Sequence, residues 1–134
     1  MKRIVFDASA VMTFFENRPG ADKVEELIHL GVAGKRQLLM SVVNWGEVYY
    51  STWRGHGPSV ARKILQDISQ LPIEVVDANL DLARAAAELR ADQKLPYTDC
   101  FAAALAVQRK ASLATSDQDF TAVEKKIDIL WTGA

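Results

Sequence analysis

LPYTDCFAAALAVQRKASLATSDQDF, Leu95 to Phe120, joins a helical pattern to a strand pattern and carries a carboxylate where neither needs one. Pro96 suits a first helical position, where a missing N–H leaves no bond unmade. A run of alanines follows, and the segment is too apolar to lie on a surface. Asp99 nevertheless enters it near the start. ASLATS, Ala111 to Ser116, then reads as a short strand running into Asp117-Gln118-Asp119. A helix that brings in one acid and a strand that ends in two more make the repeating step of an α/β sheet.

The same alternation extends in both directions. KRIVF (Lys2 to Phe6), QLLMSV (Gln37 to Val42), IEVV (Ile73 to Val76) and IDILW (Ile127 to Trp131) are short, mostly apolar runs of the kind that form buried parallel strands. Helical patterns lie between them. ADKVEELIHL puts Val24, Leu27 and Ile28 on one face, and NWGEVYYSTW starts from Asn44 as an N-cap and ends near Gly55. PSVARKILQDIS sets Val60, Ile64, Leu65 and Ile68 at helical spacing. ANLDLARAAAELRADQK places Leu80, Ala83 and Ala87 along one side, after a cap at Asp77 or Asn79. The expected fold is α/β, one three-layer α/β/α domain over residues 1–134 around a central, mainly parallel five-stranded sheet.

Composition narrows the function without naming it. Among 134 residues, 49% are hydrophobic and 25% charged, ordinary values for a soluble globular chain. No apolar run is long enough for a membrane span, and Asp7 interrupts the first one too early for a secretory signal. The single cysteine, Cys100, excludes an internal disulfide and a cysteine-based zinc site, so the cytoplasm is the expected compartment. Net charge is −1, so any grip on nucleic acid must be local or helped by cations.

Ligands of open α/β sheets bind at the carboxyl ends of the strands. Asp7 follows the first strand, Glu47 falls in the first turn of the helix after the second, and Asp117 follows the fourth. Asp99 opens the helix before that strand. Four acids, 40, 52 and 18 residues apart, thus reach one rim. Each has an ordinary reading as a cap, a capping-box glutamate or a helix-dipole partner, the last worth about 0.3–1 kcal/mol. Two carboxylates about 4 Å apart repel by roughly 4 kcal/mol at an effective dielectric near 20, which outweighs those gains. A cation resolves the conflict. Carboxylates without cysteine or spaced histidines select a hard ion, Mg2+ or Mn2+.

DASAV (Asp7 to Val11), NWGEV (Asn44 to Val48), LPYTDCFAAALA and LATSDQDF (Leu113 to Phe120) resemble, in order and spacing, the motifs of a PIN domain, and most closely those of single-domain VapC-type toxins. The resemblance covers essentially the whole chain. It implies a Mg2+- or Mn2+-dependent endoribonuclease in which Asp7, Glu47, Asp99 and Asp117 match the acidic quartet and Asp119 a further acid of many members. Ser9 matches a hydroxyl position beside the first acid, and Thr115 or Ser116 one near the last. Trp45 departs from the family pattern, which often has a smaller helix start. An antitoxin protein as partner, an RNA substrate and a homodimer follow from the same resemblance, with no small-molecule cofactor. The chemistry suits these residues independently: divalent ions can activate water and relieve charge on a phosphodiester, so no protein nucleophile is needed.

Other features carry less. Trp45, Tyr49 and Trp53 recur every four residues, as a core face does, or as an exposed surface for a partner or RNA bases. Arg54, Arg62 and Lys63 are candidates for RNA phosphates beside an ordinary reading as solvated helix charges. His29 and His56 lack metal-ligand spacing and read as surface residues. A phosphoacceptor domain would need an acidic pair after the first strand and a lysine after the fifth, and neither is present. A PIN-type RNA-processing nuclease or a non-catalytic RNA-binding module outside a toxin–antitoxin pair is the alternative reading.

Overall fold

The computed structural model describes residues 1–133. Five strands form one sheet in the order β3-β2-β1-β4-β5: β1 Lys2–Phe6, β2 Arg36–Ser41, β3 Ile73–Val76, β4 Ser112–Thr115 and β5 Ile129–Trp131. All four pairings are parallel. Alternation along the strands explains the layers. Ile4, Phe6, Leu38 and Met40 face one core, which α1 (Ala8–Phe15), α2 (Ala21–Val32), α3 (Val42–His56) and α4 (Pro58–Ser69) cover. Val5, Leu39 and Leu113 face the other, covered by α5 (Leu80–Asp92) and α6 (Tyr97–Arg109). The expected three-layer α/β/α arrangement with a five-stranded parallel sheet is what the chain forms.

Several local readings change. Helix α1, not foreseen, starts at Asp7, whose carboxylate caps it by accepting from the Ala10 N–H at 2.9 Å. Helix α3 starts earlier than expected: Ser41 is its N-cap, accepting from the Val43 N–H, and Asn44 lies inside the helix, fully buried. The buried side of α5 is Leu82 and Ala86, while Leu80 is 89% exposed, because Asn79 caps the helix and leaves Leu80 at its open first turn. In α4, Ala61 and Ile68 are buried and Val60 faces outward. Strand β3 lies at the sheet edge, which leaves Glu74 and Val75 exposed.

Gly20 marks a close approach. Its φ is +98°, and a Cβ there would lie 1.5 Å from the Thr132 carbonyl oxygen. The start of α2 therefore rests directly on the backbone just beyond β5, at the carboxyl end of the sheet.

Candidate metal centre

Strand order reverses between β1 and β4, since the chain goes from β1 outward to β2 and β3, then returns past β1 to β4. The two loops leaving that switch point carry Asp7 and Asp117, and the crevice between such loops is where open α/β sheets bind ligands.

Asp7 is buried and held by three donors. The Ser9 hydroxyl lies 2.8 Å from Oδ1 and 3.0 Å from Oδ2, the Thr115 hydroxyl donates to Oδ2 at 2.6 Å, and the Ala10 N–H donates to Oδ1. Those hydroxyl oxygens in turn accept from the backbone, Ser9 from the Ser116 N–H at 3.0 Å and Thr115 from the Asp117 N–H at 2.9 Å. The loop after β4 is thereby stitched to the start of α1 through one carboxylate. Burial still pushes the Asp7 carboxyl up to about 6, against the lowering effect of Thr115, Ala10 and Ser9 and with a smaller upward push from Asp117.

Helix α6 delivers Asp99 with Cys100, Ala102, Ala103 and Ala106 all buried beside it, which lets the helix lie close to the sheet. One oxygen of Asp99, Oδ2, is buried with no hydrogen-bond partner among the described residues. An unpartnered buried carboxylate oxygen costs several kcal/mol or holds a proton. Burial, then the charges of Asp117 and Asp7, then a shared hydrogen bond with Asp117 and the charge of Glu47 push the Asp99 carboxyl up to about 8. Asp99, Asp117 and Asp119 each bring a carboxylate oxygen within 4.8 Å of the others. Asp117 also caps the 3₁₀ turn Gln118–Val123 by accepting from the Asp119 N–H, so its ordinary role as a cap and its place in the cluster coexist.

Glu47 is half-buried on α3. The Asn44 side-chain amide donates to its Oε1 at 3.2 Å and to the Thr98 carbonyl at 3.0 Å, tying α3 to the first turn of α6 next to Asp99. Burial raises the Glu47 carboxyl, Asn44 lowers it and Asp117 raises it again. Sequence reading missed Asn44, because an Asn three residues before a Glu looks like a capping box. The signal that separates the two is Ser41, a better-placed cap at the end of a strand.

All five predicted acids thus reach the same rim. The tight group is Asp99, Asp117 and Asp119, with Asp7 and Glu47 close enough to bear on its charge. Ser9 donates to Asp7, the acid it was expected beside; Thr115, expected near Asp117, accepts from the Asp117 N–H but donates to Asp7, and Ser116 contributes its backbone N–H. The aromatic stripe is neither core nor free: Trp45 and Tyr49 are half-buried, and Trp53 is exposed with Arg62 over its ring at 5.5 Å. Lys63 pairs with Asp67, and Arg54 is exposed. On the far side of α3 a cleft of about 460 Å³ opens between α1, α3 and α4, walled by Met12, Phe15, Val48, Val60 and Ile64, with His56 and Glu16 at its edge.

Carboxylates converging at the switch point of a parallel sheet offer the all-oxygen ligands that a hard cation takes. The PIN domain family profile matches residues 4–126, and the chain belongs to that family. Similar solved structures include VapBC2 from Rickettsia felis bound to a promoter DNA fragment, 15% identical over 96% of this chain and 97% of that one, with a TM-score of 0.77. DNA-bound VapBC from Salmonella typhimurium is 20% identical over 97% and 98%, with a TM-score of 0.76. Mycobacterium tuberculosis VapC20, a sarcin-ricin loop cleaving toxin, is 18% identical over 90% and 94%, with a TM-score of 0.70. At these identities the likeness is one of fold. No curated protein matches the chain by sequence.

Proposed function

We propose that this chain is a divalent-metal-dependent endoribonuclease, the toxin member of a toxin–antitoxin pair. The observation that carries the reading is the unpartnered buried oxygen of Asp99 beside Asp117 and Asp119, at the switch point of a PIN fold. All-oxygen ligation fits Mg2+ or Mn2+. When bound, such an ion relieves charge on a scissile phosphate and lowers the pKa of a coordinated water. Asp99, Asp117 and Asp7 would hold it, with Asp119 as a further ligand. Ser9 and Thr115 keep Asp7 in place, and Glu47, aimed by Asn44, directs a water or adds a ligand.

Solved neighbours that are VapBC complexes support an antitoxin partner. The apolar cleft between α1, α3 and α4 is the proposed seat for a segment of it, and the exposed part of the Trp45-Tyr49-Trp53 stripe the proposed contact in a homodimer. Arg54 is the remaining candidate on these helices for RNA phosphates. No helix among the described residues is long and apolar enough to cross a membrane, and the cytoplasm, where RNA and antitoxin are met together, is the proposed compartment.

Incubating a panel of tRNA and rRNA with the protein tests the reading. Defined cleavage products are expected with Mg2+ or Mn2+, none with EDTA, and at least a hundredfold slower cleavage by Asp99→Asn or Asp7→Asn on the scale of lost electrostatic stabilisation. Full cleavage by either variant would remove the metal assignment.

A further inference from the structure

The amino end of the sheet, opposite the acids, carries a row of cations. Lys2 pairs with Arg36 across β1 and β2. Ile4 lies opposite Ser112, so Lys110 precedes β4 by the same step that Lys2 precedes Ile4. Leu113 lies opposite Ile129, so Lys126 stands three residues ahead of Ile129, as Lys110 does ahead of Leu113. Arg36, Lys2, Lys110 and Lys126 therefore follow one another along the starts of four adjacent strands, roughly 14 Å at the usual strand spacing. Each has a second basic residue beside it in the chain, and these four pairs supply eight of the 16 Lys and Arg residues.

Three of the four side chains share depressions as the register implies, while Arg36 lines a separate one with Met1 and Glu74. Lys2, Arg3 and Lys110 line one shallow depression, and Lys110 and Lys126 the next. Arg3 donates to the Arg109 carbonyl at 3.0 Å, which fastens β1 to the end of α6. None of the eight cations takes part in an ion pair among the described residues; the chain's ion pairs all lie elsewhere. Asp128, the acid in both depressions, has its carboxylate engaged by the Ser112 hydroxyl at 2.7 Å. The cations outnumber the two acids among them, Asp128 and Glu74, so the edge keeps a net positive charge and gains from a polyanion.

We propose that this basic edge binds the phosphate backbone of RNA, as a second binding surface remote from the acidic rim. The choice of RNA rests on the ribonuclease reading above. The exposed aromatic side chains (Tyr50, Trp53 and Tyr97) lie on α3 and α6 away from the strand starts, so the edge lacks the aromatic anchors of a protein interface and the platforms for base stacking. Binding through phosphates alone is independent of sequence and strongly salt-dependent. It also reconciles a net charge of −1 with an RNA partner, since the opposing charges occupy opposite ends of the strands.

Fluorescence anisotropy of a labelled RNA of about tRNA length, in EDTA, reads this binding without cleavage. The triple variant Lys2→Gln, Lys110→Gln, Lys126→Gln is expected to bind about tenfold more weakly near 100 mM salt, with the log–log salt slope shallower by about 2, at ~0.7 for each phosphate no longer neutralised. A control removing Lys23, Arg84 and Arg90 is expected to leave the slope in place. An unchanged slope in the first variant, an equal loss in the control, or a loss confined to DNA of the same sequence overturns the proposal. Lost binding together with no cleavage of any RNA by the parent would instead sink the ribonuclease reading and leave this surface standing.

Discussion

Asp99 shows how a single side chain can be both a liability and the point of the structure. Its carboxyl is pushed up to about 8 from an ordinary 3.8, so between those values the metal-free folded chain holds a proton that the unfolded chain has lost. Stability then falls as pH rises across that window. Asp99→Asn removes the penalty. We expect it to raise the Tm of the metal-free protein by about 4 °C or more at pH 7.5, on the basis of roughly 3–5 °C per kcal/mol at this size, with little change at pH 4. Scanning calorimetry in EDTA checks both the sign and the pH dependence. Thr115→Val should act in the opposite direction. Its hydroxyl donates to Asp7 and accepts from the Asp117 N–H, so its loss takes one donor from buried Asp7 and leaves the part-buried Asp117 N–H without its partner. A cost of about 1–3 kcal/mol is expected, measurable as a lower urea midpoint, together with a weaker affinity for Mn2+.

At the scale of elements, what could be read from the sequence depended on whether neighbours in the chain or neighbours in space decided the outcome. Helix α6 was legible because its apolar run is long and its acid misplaced. The strands were legible because buried parallel strands are short and β-branched. Helix α1 was not, since ASAVMTFF spans only eight residues directly after a strand, too short a stretch to separate from a loop, and its Asp7 cap is held in place by Ser9 and Thr115 from distant sequence. The true face of α5 was hidden for a similar reason: its alanines give little contrast around the helix, and packing against α6 selected Leu82 and Ala86. Gly20 belongs to the same class, as nothing nearby in sequence announces the Thr132 backbone against it. Gly20→Ala combines positive φ with an impossible Cβ contact, so the start of α2 must move away from β5. A loss of at least about 2–3 kcal/mol is expected, with earlier hydrogen exchange in α2 than in α6. Unaltered stability would mean that the approach is looser than 1.5 Å implies.

The whole molecule divides its charge along the strands, with acids gathered at their carboxyl ends and unpaired cations at their amino ends. Folding creates the acid cluster, because residues as far apart as Asp7 and Asp117, 110 positions, meet only when the sheet forms. A divalent ion that needs several of those carboxylates must therefore bind the folded chain far better than the unfolded one. At a concentration of 100 times its Kd it adds about 2.7 kcal/mol, or roughly 8–14 °C in Tm for a chain of this size. Protons compete for the same oxygens. With Asp99 near 8 and Asp7 near 6 in the metal-free state, a cation at pH 5 must displace two protons, whereas above pH 8 it displaces almost none. The stabilisation by Mn2+ should thus be largest above pH 8 and nearly absent at pH 5. Differential scanning calorimetry across that range, with and without about 1 mM Mn2+, reads the difference directly. A Tm increment that stays constant with pH would show that the ion binds somewhere other than Asp99 and Asp7.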